Sequence, residues 1–350
     1  MDCLKLSCKL TQFDEIPAGL TEVSHENLYR ILPNLSLLHL VGRKPEPLFI
    51  SVLLHGNEPT GFLAIQELLK EYQSRALPRS LSILIGNVLA ARENVRRLDH
   101  QPDFNRIWPG TEEGESEATR LAANIVEEMR KRNVFASIDI HNNTGLNPHY
   151  ACVNVLEDGY LQLARLFSRL AVYFIRPRGV LSAAFAQHCP SVTLECGKPG
   201  QQYGVSHVLE YLNSCLHLTE IPKRAVQPAD LDLFHCIAQV TIPETVDFDF
   251  SPARADLQLA ADIDHINFTE MPESTVIGKV QTTDSEIPLC ARDERGRDVT
   301  SRYFRIEQQD LVLNRAIMPS MFTLDRKTIR QDCLGYLMER IHSSADSHKR

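Results

Sequence analysis

Residues 48–61 read LFISVLLHGNEPTG, and this stretch decides the fold. Its first half is a continuous apolar run rich in β-branched and large residues, which is typical of a strand buried on both faces. A polar turn follows, and apolar residues then recur at helical spacing over residues 62–72. The pattern predicts a strand, a tight turn at Gly56 and a helix whose first turn contains Glu58. Open α/β sheets bind ligands at such strand ends, so His55 and Glu58 are candidate functional residues.

Strands and helices alternate over the first part of the chain. Further strands are predicted at residues 35–41, 81–88, 134–140, 150–156 and 191–197, and helices at residues 24–32, 116–132, 159–171 and 205–218. This alternation predicts an α/β domain over residues 1–222, with a mostly parallel sheet flanked by helices. After a proline-bearing linker, short alternating stretches such as 237–242 and 275–281 predict a smaller β-rich C-terminal domain over residues 223–350. Residues 343–350 are polar, and we expect them to be frayed.

Composition excludes several classes of function. The net charge of −8 and the absence of a basic face in the sequence argue against a nucleic-acid partner. No apolar run approaches the length of a membrane-spanning helix, and the start of the chain does not read as a secretory signal, so we expect no membrane association. The nine cysteines are scattered without a Cys-x-x-Cys pair, which is typical of a cytoplasmic protein and argues against a thiolate zinc site. The oligomeric state is left open.

Polar side chains follow three of the predicted strands. His55 and Glu58 follow the first, His141 follows the strand at 134–140, and Glu195 lies in the strand at 191–197. Two histidines and one glutamate are the ligand set of His₂Glu zinc hydrolases, which leave a fourth position open for water. Zinc lowers the pKa of water, and Glu195 would then accept its proton. Asp139 is placed to orient the imidazole of His141. The alternatives are buried structural histidines, a solvated Glu58, and an ion pair of Glu195 with an arginine.

The polar segment 90–110 supplies positive charge. It contains Arg96 and Arg97, followed by Asn105 and Arg106. An arginine fork binds a carboxylate through two parallel hydrogen bonds, and an adjacent asparagine can add a donor. A second arginine near the metal would polarise the carbonyl of a substrate. The alternative is a solvated polar loop.

Four motifs in this order resemble the succinylglutamate desuccinylase/aspartoacylase family, which belongs to the zinc carboxypeptidase superfamily. They are His55-Gly-Asn-Glu58, Asp103-Phe-Asn-Arg106, Asp139-Ile-His-Asn-Asn-Thr144 and Thr193-Leu-Glu-Cys-Gly-Lys198. In the second domain, the segment Asp262-Ile-Asp-His-Ile-Asn-Phe-Thr269 resembles a segment of the desuccinylases. The resemblance implies a zinc-carboxypeptidase-like fold and extends over residues 45–280.

The resemblance also implies roles for individual residues. His55, Glu58 and His141 would bind one zinc ion per chain, and Glu195 would be the general base. Asn105 and Arg106 would grip the α-carboxylate of the substrate. Arg97, rather than Arg96, is our choice for the arginine that polarises the carbonyl.

One family feature has no counterpart at the expected place. An arginine for the acyl carboxylate is expected near residues 184–186, which read Ala-Phe-Ala. Arg176 or Arg178 would replace it, or the acyl group is not acidic.

The sequence therefore predicts a zinc-dependent amidohydrolase that deacylates an N-acyl amino acid, a small-molecule substrate. N-succinylglutamate and N-acetyl amino acids are both candidate substrates. The alternatives are a metallocarboxypeptidase that acts on a peptide or cell-wall fragment, and a non-catalytic binding protein with the same fold.

Overall fold

The computed structural model describes residues 9–281 and 286–341. The expected fraying of residues 343–350 lies outside these ranges. The described chain forms two compact units. The first runs through Asn142 and resumes over His149–Asp232, and the second comprises Asn143–Pro148 and the residues from Leu233 onward.

The first unit alternates strands and helices. Its strands are β1 (Leu10–Phe13), β2 (Leu35–Leu40), β3 (Lys44–Val52), β4 (Arg79–Ile85), β5 (Ala136–His141), β6 (Tyr150–Val153), β7 (Leu170–Tyr173) and β8 (Ser191–Glu195). Its helices are α1 (Thr60–Glu71), α2 (Val88–Arg92), α3 (Glu117–Lys131), α4 (Asp158–Phe167), α5 (Leu181–Phe185) and α6 (Gln202–His217), with a 3₁₀ helix at His25–Arg30.

These strands form one sheet in the order β1-β2-β4-β3-β5-β8-β6-β7. The β2–β4 and β6–β8 pairs are antiparallel, and the other neighbouring pairs are parallel. The α/β fold with a mostly parallel sheet, predicted from the sequence, is thus confirmed. Because β3, β5 and β8 are parallel neighbours, their carboxyl ends meet at one edge of the sheet. Residues that are far apart in the chain are brought together there.

Different helices pack against the two faces of the sheet. On one face α1 packs so closely that a Cβ at Gly61 would lie 2.8 Å from Val52 and 2.9 Å from Ile140. On the other face the ring of Phe185 in α5 stacks on Phe49 in β3, with ring centroids 4.4 Å apart. Helix α3 belongs to the same apolar cluster, and a capping box between Ser116 and the third helical residue fixes its start.

The second unit is rich in short strands. They are β9 (Asp232–Thr241), β10 (Phe248–Phe250), β11 (Leu257–Leu259), β12 (Val276–Val280), β13 (Cys290–Asp293), β14 (Phe304–Glu307), β15 (Asp310–Leu313), β16 (Met318–Ser320) and β17 (Gly335–Arg340), and the short helices are α7 (Thr300–Tyr303) and α8 (Arg326–Gln331). Strands β10-β11-β12-β15-β14 form a five-stranded sheet. Strand β9 pairs with β13 and β17, and β17 pairs with β16. The predicted smaller β domain is thus confirmed.

Within this unit, Asn267 holds the segment Asn143–Pro148 in place. Its amide nitrogen donates to the carbonyl oxygens of Leu146 and Phe322 at 3.1 and 2.9 Å, and its amide oxygen accepts from the Phe322 N–H at 2.9 Å. Asn267 comes from the segment 262–269 that resembles the desuccinylases. Its side chain therefore bonds to two separate stretches of backbone.

Among the residues that the structure describes, no helix is both long and apolar enough to cross a membrane.

Candidate metal centre

The turn after β3 presents two of the candidate ligands. The chain leaves the strand through Leu53, which has a positive φ of 56°, and the Glu58 N–H donates to the His55 carbonyl oxygen at 3.2 Å. Gly56 is needed because a Cβ there would lie 2.1 Å from the backbone of Ala90 and Ala91. The structure thus explains Gly56 by a close approach of two backbones. The helix that follows begins at Thr60, and Pro59 is its N-cap.

His55, Glu58 and His141 form a compact buried cluster. Glu58 contacts both histidines, with Oε1 2.9 Å from His55 Nδ1 and Oε2 2.7 Å from His141 Nδ1. One ligand atom from each of the three residues lies within 4.8 Å of the others. The three residues are 3, 7 and 4% exposed, so water competes little for these atoms. The cluster has the donors and spacing of a metal site.

A carboxylate lies behind each imidazole. Asp103 Oδ1 is 3.0 Å from His55 Nε2, and Asp139 Oδ2 is 2.8 Å from His141 Nε2. Each carboxylate accepts a hydrogen bond from Nε2–H, which turns Nδ1 of the ring toward Glu58. Such carboxylate–histidine pairs orient ligand rings and strengthen them as donors.

The electrostatics of the cluster favour positive charge. Burial alone lowers the pKa of His141, but Asp139 and Glu58 outweigh burial and leave the pKa well above its ordinary value. Burial and Arg96 lower the pKa of His55, whereas Glu58 and Asp103 raise it, with a net increase. For Glu58, burial raises the pKa and the two histidines lower it more strongly. Glu58, Asp103 and Asp139 thus surround the two imidazoles with negative charge. This charge, together with the nitrogen and oxygen ligand atoms of the cluster, fits a divalent cation.

Glu195 lies beside the cluster. It is the last residue of β8, it is in register with His141 on the neighbouring parallel strand, and it is 5% exposed. Residues in register on adjacent strands have side chains on the same face of a sheet. The Cys196 N–H donates to the His141 carbonyl oxygen at 3.0 Å, so the pairing continues past the strand end.

Asn142 is a further residue of the site that the sequence did not single out. Its backbone N–H donates to Glu58 Oε2 at 3.3 Å, and its amide nitrogen donates to the Gly197 carbonyl oxygen at 2.9 Å. Its amide oxygen accepts from the Thr60 N–H at 3.2 Å. Asn142 therefore connects the metal-ligand turn, the start of α1 and the loop after Glu195. In the sequence, the only indication of this role is that Asn142 directly follows the candidate ligand His141.

The two neighbouring arginines are placed differently. The Arg96 guanidinium donates to Asp103 Oδ2 at 3.0 Å and lies 3.9 Å from Glu58 Oε1, with 11% of its side chain exposed. Arg97 donates to the Gln101 carbonyl oxygen at 3.1 Å. The structure therefore brings Arg96, the alternative that the sequence left open, to the cluster.

Asn105 and Arg106 are adjacent to the cluster and to each other. The Asn105 amide nitrogen lies 3.3 Å from His141 Nε2, and its amide oxygen accepts from the Leu181 N–H at 3.0 Å. Arg106 Nη1 donates to the Asn105 carbonyl oxygen at 2.9 Å. This pair is thus fixed at the edge of the cluster by both side-chain and backbone bonds.

Arg176 and Arg178, the two candidates for binding an acyl carboxylate, both lie close to Glu112. Both guanidinium nitrogens Nη1 and Nη2 of Arg176 contact Glu112, at 2.9 and 2.6 Å, and Arg178 Nη1 lies 3.7 Å from the same side chain. At residues 184–186 the side chains are buried and apolar.

The fold and the cluster define this chain as an α/β protein with a buried His-Glu-His cluster, which could hold a metal ion, at the carboxyl edge of its sheet. Residues 46–206 match the family model of the succinylglutamate desuccinylase/aspartoacylase catalytic domain. The matched residues include all four motifs that resemble this family.

Three solved structures share the fold. Succinylglutamate desuccinylase from Chromobacterium violaceum has 17% sequence identity and a TM-score of 0.53, and the match covers 86% of each chain. Succinylglutamate desuccinylase/aspartoacylase from Rhodobacter sphaeroides has 14% identity and a TM-score of 0.54 over 87% of this chain and 88% of the other. A variant of murine aminoacylase 3 has 13% identity and a TM-score of 0.50 over 85 and 95%. No curated protein sequence matches the chain.

Proposed function

We propose that this protein is a zinc-dependent amidohydrolase that removes the acyl group from an N-acyl amino acid. One observation carries the proposal: His55, Glu58 and His141 converge with their nitrogen and oxygen atoms within 4.8 Å, next to Glu195, in a stretch that matches the desuccinylase/aspartoacylase family model. Two carboxylates behind the imidazoles strengthen the case, because they are typical of metal sites and costly in a purely structural core.

The metal ligands would be His55 Nδ1, His141 Nδ1 and the carboxylate of Glu58. When bound, zinc supplies a Lewis acid that polarises the substrate carbonyl and makes water more acidic. Asp103 and Asp139 hold the two rings so that the nitrogens do not need to reorganise when the ion binds.

Glu195 would move the proton during hydrolysis. Its carboxylate takes a proton from the attacking water and then gives it to the leaving amine nitrogen, which becomes the free amino group. The supporting observations are its burial and its register with His141 at the end of the sheet. Burial excludes bulk water, which strengthens the interaction of the carboxylate with the reacting groups.

Arg96 is the better candidate for polarising the scissile carbonyl. Its guanidinium lies 3.9 Å from Glu58, whereas Arg97 donates to a backbone carbonyl at Gln101. A fixed cation beside the reacting carbonyl stabilises the oxyanion because it does not have to reorient. Asn105 and Arg106 would bind the α-carboxylate of the amino-acid half through amide and guanidinium donors. Arg97 remains the alternative, which single substitutions can test.

The acyl half is expected to be uncharged. Residues 184–186 are packed in the apolar core, and Arg176 is engaged by Glu112 in a two-point ion pair. A negatively charged acyl group would have to compete with Glu112 for that guanidinium. We therefore expect N-acetyl amino acids to be hydrolysed faster than the matching N-succinyl amino acids. Buried free thiols such as Cys189 and Cys215 support the cytoplasmic location that we propose.

The test combines metal analysis with a substrate panel. The purified protein is assayed for bound zinc and then for release of free amino acid from N-acetyl and N-succinyl amino acids, with short peptides alongside. About one zinc per chain and hydrolysis of N-acyl amino acids support the proposal. Cleavage confined to peptides indicates a metallocarboxypeptidase, and zinc binding without hydrolysis of any substrate indicates a binding protein.

A further inference from the structure

A chain of side-chain hydrogen bonds fixes the start of helix α5. The Asn154 amide nitrogen donates to the Phe174 carbonyl oxygen at 3.0 Å, so the amide oxygen of Asn154 is the end that accepts from a neighbour. The Ser182 hydroxyl donates to that oxygen at 2.8 Å, and the Thr193 hydroxyl donates to Ser182 Oγ at 2.9 Å. The direction of each bond is therefore determined by the bond before it.

These side chains connect three elements of the first unit. Thr193 lies in β8, two residues before Glu195, Ser182 is the second residue of α5, and Asn154 directly follows β6. Ser182 is 0% exposed and Thr193 is 6% exposed. Removal of one hydroxyl leaves its neighbours without their partner in a place that water reaches poorly, which is costly. The bonds therefore hold α5 against the sheet at one position.

The residue before Ser182 contacts Asn105, a candidate for binding the substrate. The Leu181 N–H donates to Asn105 Oδ1 at 3.0 Å. Because a backbone N–H is always a donor, the amide oxygen of Asn105 must face Leu181, and its amide nitrogen faces away. That nitrogen lies 3.3 Å from His141 Nε2, at the edge of the cluster. The Leu181 N–H thus determines which end of the Asn105 amide faces the cluster.

The segment before α5 also packs tightly on the segment that carries Asn105. The Trp108 N–H donates to the Gly179 carbonyl oxygen at 3.0 Å. A Cβ at Gly179 would lie 2.3 Å from the Arg106 carbonyl oxygen, and the φ of Gly179 is +73°, so only glycine fits there. The two segments are therefore in direct contact on both sides of α5's first residues, and a shift of α5 is transmitted to Asn105.

We propose that Ser182 and Thr193 are positioning residues for the binding of the substrate α-carboxylate, a role that rests on the proposed function. Ser182 fixes the start of α5, and the Leu181 N–H then fixes the amide of Asn105 with its nitrogen toward the substrate. Thr193 holds Ser182 in turn. A donor that is already oriented loses less conformational freedom when the carboxylate binds, which strengthens binding. Neither hydroxyl touches the substrate.

Ser182→Ala and Thr193→Val each remove one hydroxyl from this chain of bonds. In the zinc-loaded full chain, KM for an N-acetyl amino acid is expected to rise about three- to tenfold, the effect of one hydrogen bond, with kcat within about twofold. Thr193→Ser keeps the hydroxyl and is expected to retain the wild-type KM. Ser36→Ala is the matched control, because its hydroxyl in β2 is equally buried and donates to the Asn34 carbonyl oxygen at 2.9 Å. The control must leave KM unchanged.

A double-mutant cycle separates positioning from a general loss of stability. In the Asn105→Ala background, Ser182→Ala is expected to change KM by less than about twofold, because the side chain through which Ser182 acts is absent. Equal effects of Ser182→Ala in both backgrounds would overturn the proposal. The same cycle with Thr193→Val gives the answer if Ser182→Ala does not fold.

Hydrogen exchange of the Leu181 amide tests the same connection without a substrate. Its exchange is expected to become about tenfold faster or more in Ser182→Ala and in Asn105→Ala, while Ser36→Ala exchanges as the wild type does. Unchanged protection of Leu181 in folded Ser182→Ala and Thr193→Val would refute the positioning role. If the wild type hydrolyses no N-acyl amino acid, the proposed function fails, and the exchange measurement still decides whether Ser182 positions Asn105.

Discussion

Replacing Asp103 by asparagine tests whether the carboxylates behind the imidazoles prepare the centre for metal. Asp103 Oδ1 is 3.0 Å from His55 Nε2, and Oδ2 accepts from Arg96 at 3.0 Å. Asparagine keeps the size of the side chain but removes its charge, and its amide hydrogens face either the donor on His55 or the donors on Arg96. The ring of His55 then loses a charged acceptor that fixes which nitrogen faces Glu58.

The expected magnitude follows from the position of Asp103. Removal of a group that orients a metal-ligating histidine weakens metal binding about 10- to 100-fold. This factor corresponds to about 1.4 to 2.7 kcal/mol of binding free energy. Asp103 also pairs with Arg96, so we expect the upper half of that range. The pKa of Asp103 is held well below its ordinary value, with Arg96 and His55 opposing the effect of burial, so the wild-type carboxylate is charged at neutral pH.

Zinc affinity is measured by competition with a chromophoric chelator for the wild type and for Asp103→Asn. Glu127→Gln is the control, because it neutralises an exposed carboxylate in α3 that pairs with Arg130 at 2.7 Å. The control must bind zinc as the wild type does, and circular dichroism must show that all three proteins are folded. Wild-type affinity in folded Asp103→Asn would refute the assignment of Asp103 as the group that orients His55.

Four further substitutions and one comparison of substrates test other parts of the account. Glu195→Gln is expected to keep zinc but to lose about 10²- to 10⁴-fold in kcat, and wild-type turnover would refute the proton-transfer role. Arg96→Ala is expected to lose at least 10²-fold in kcat while Arg97→Ala changes it little, and the reverse order would return the role to Arg97. Asn267→Ala is expected to lower the free energy of unfolding by roughly 2 to 4 kcal/mol, because it leaves buried backbone groups without partners; an unchanged urea midpoint would contradict this. N-acetyl amino acids are expected to show a higher kcat/KM than the matching N-succinyl compounds, and the opposite preference would mean that an acidic acyl group displaces Glu112.

The strands that carry the site could be predicted from the sequence because they are long apolar runs followed by polar residues. The run at residues 48–54 is in this class, whereas the strand at Ser191–Glu195 is shorter and is marked by the β-branched residues Val192 and Thr193. Shorter elements were less evident: the predicted helix 159–171 ends at Phe167, and residues Leu170–Tyr173 form a strand. Ala171 and Val172 continue the apolar pattern of the helix, and their strand conformation depends on pairing with β6.

The side chains that orient the candidate ligands were less predictable. Asp139 was expected to orient His141 because it lies two residues earlier in the same strand. Asp103 acts on His55 from 48 residues away, a contact that depends on the folded loop. Likewise, the spacing of Arg96 and Arg97 in the chain does not determine which guanidinium faces Glu58, since adjacent residues point in different directions.

The central claim is that His55, Glu58 and His141 hold one zinc ion beside Glu195. X-ray diffraction data collected at the zinc absorption edge from crystals of the zinc-loaded protein test it most directly. The account predicts one anomalous peak per chain, about 2.0 to 2.2 Å from Nδ1 of both histidines and from a carboxylate oxygen of Glu58. Zinc at a different set of residues, or no peak at this cluster in protein that contains zinc, would contradict the account.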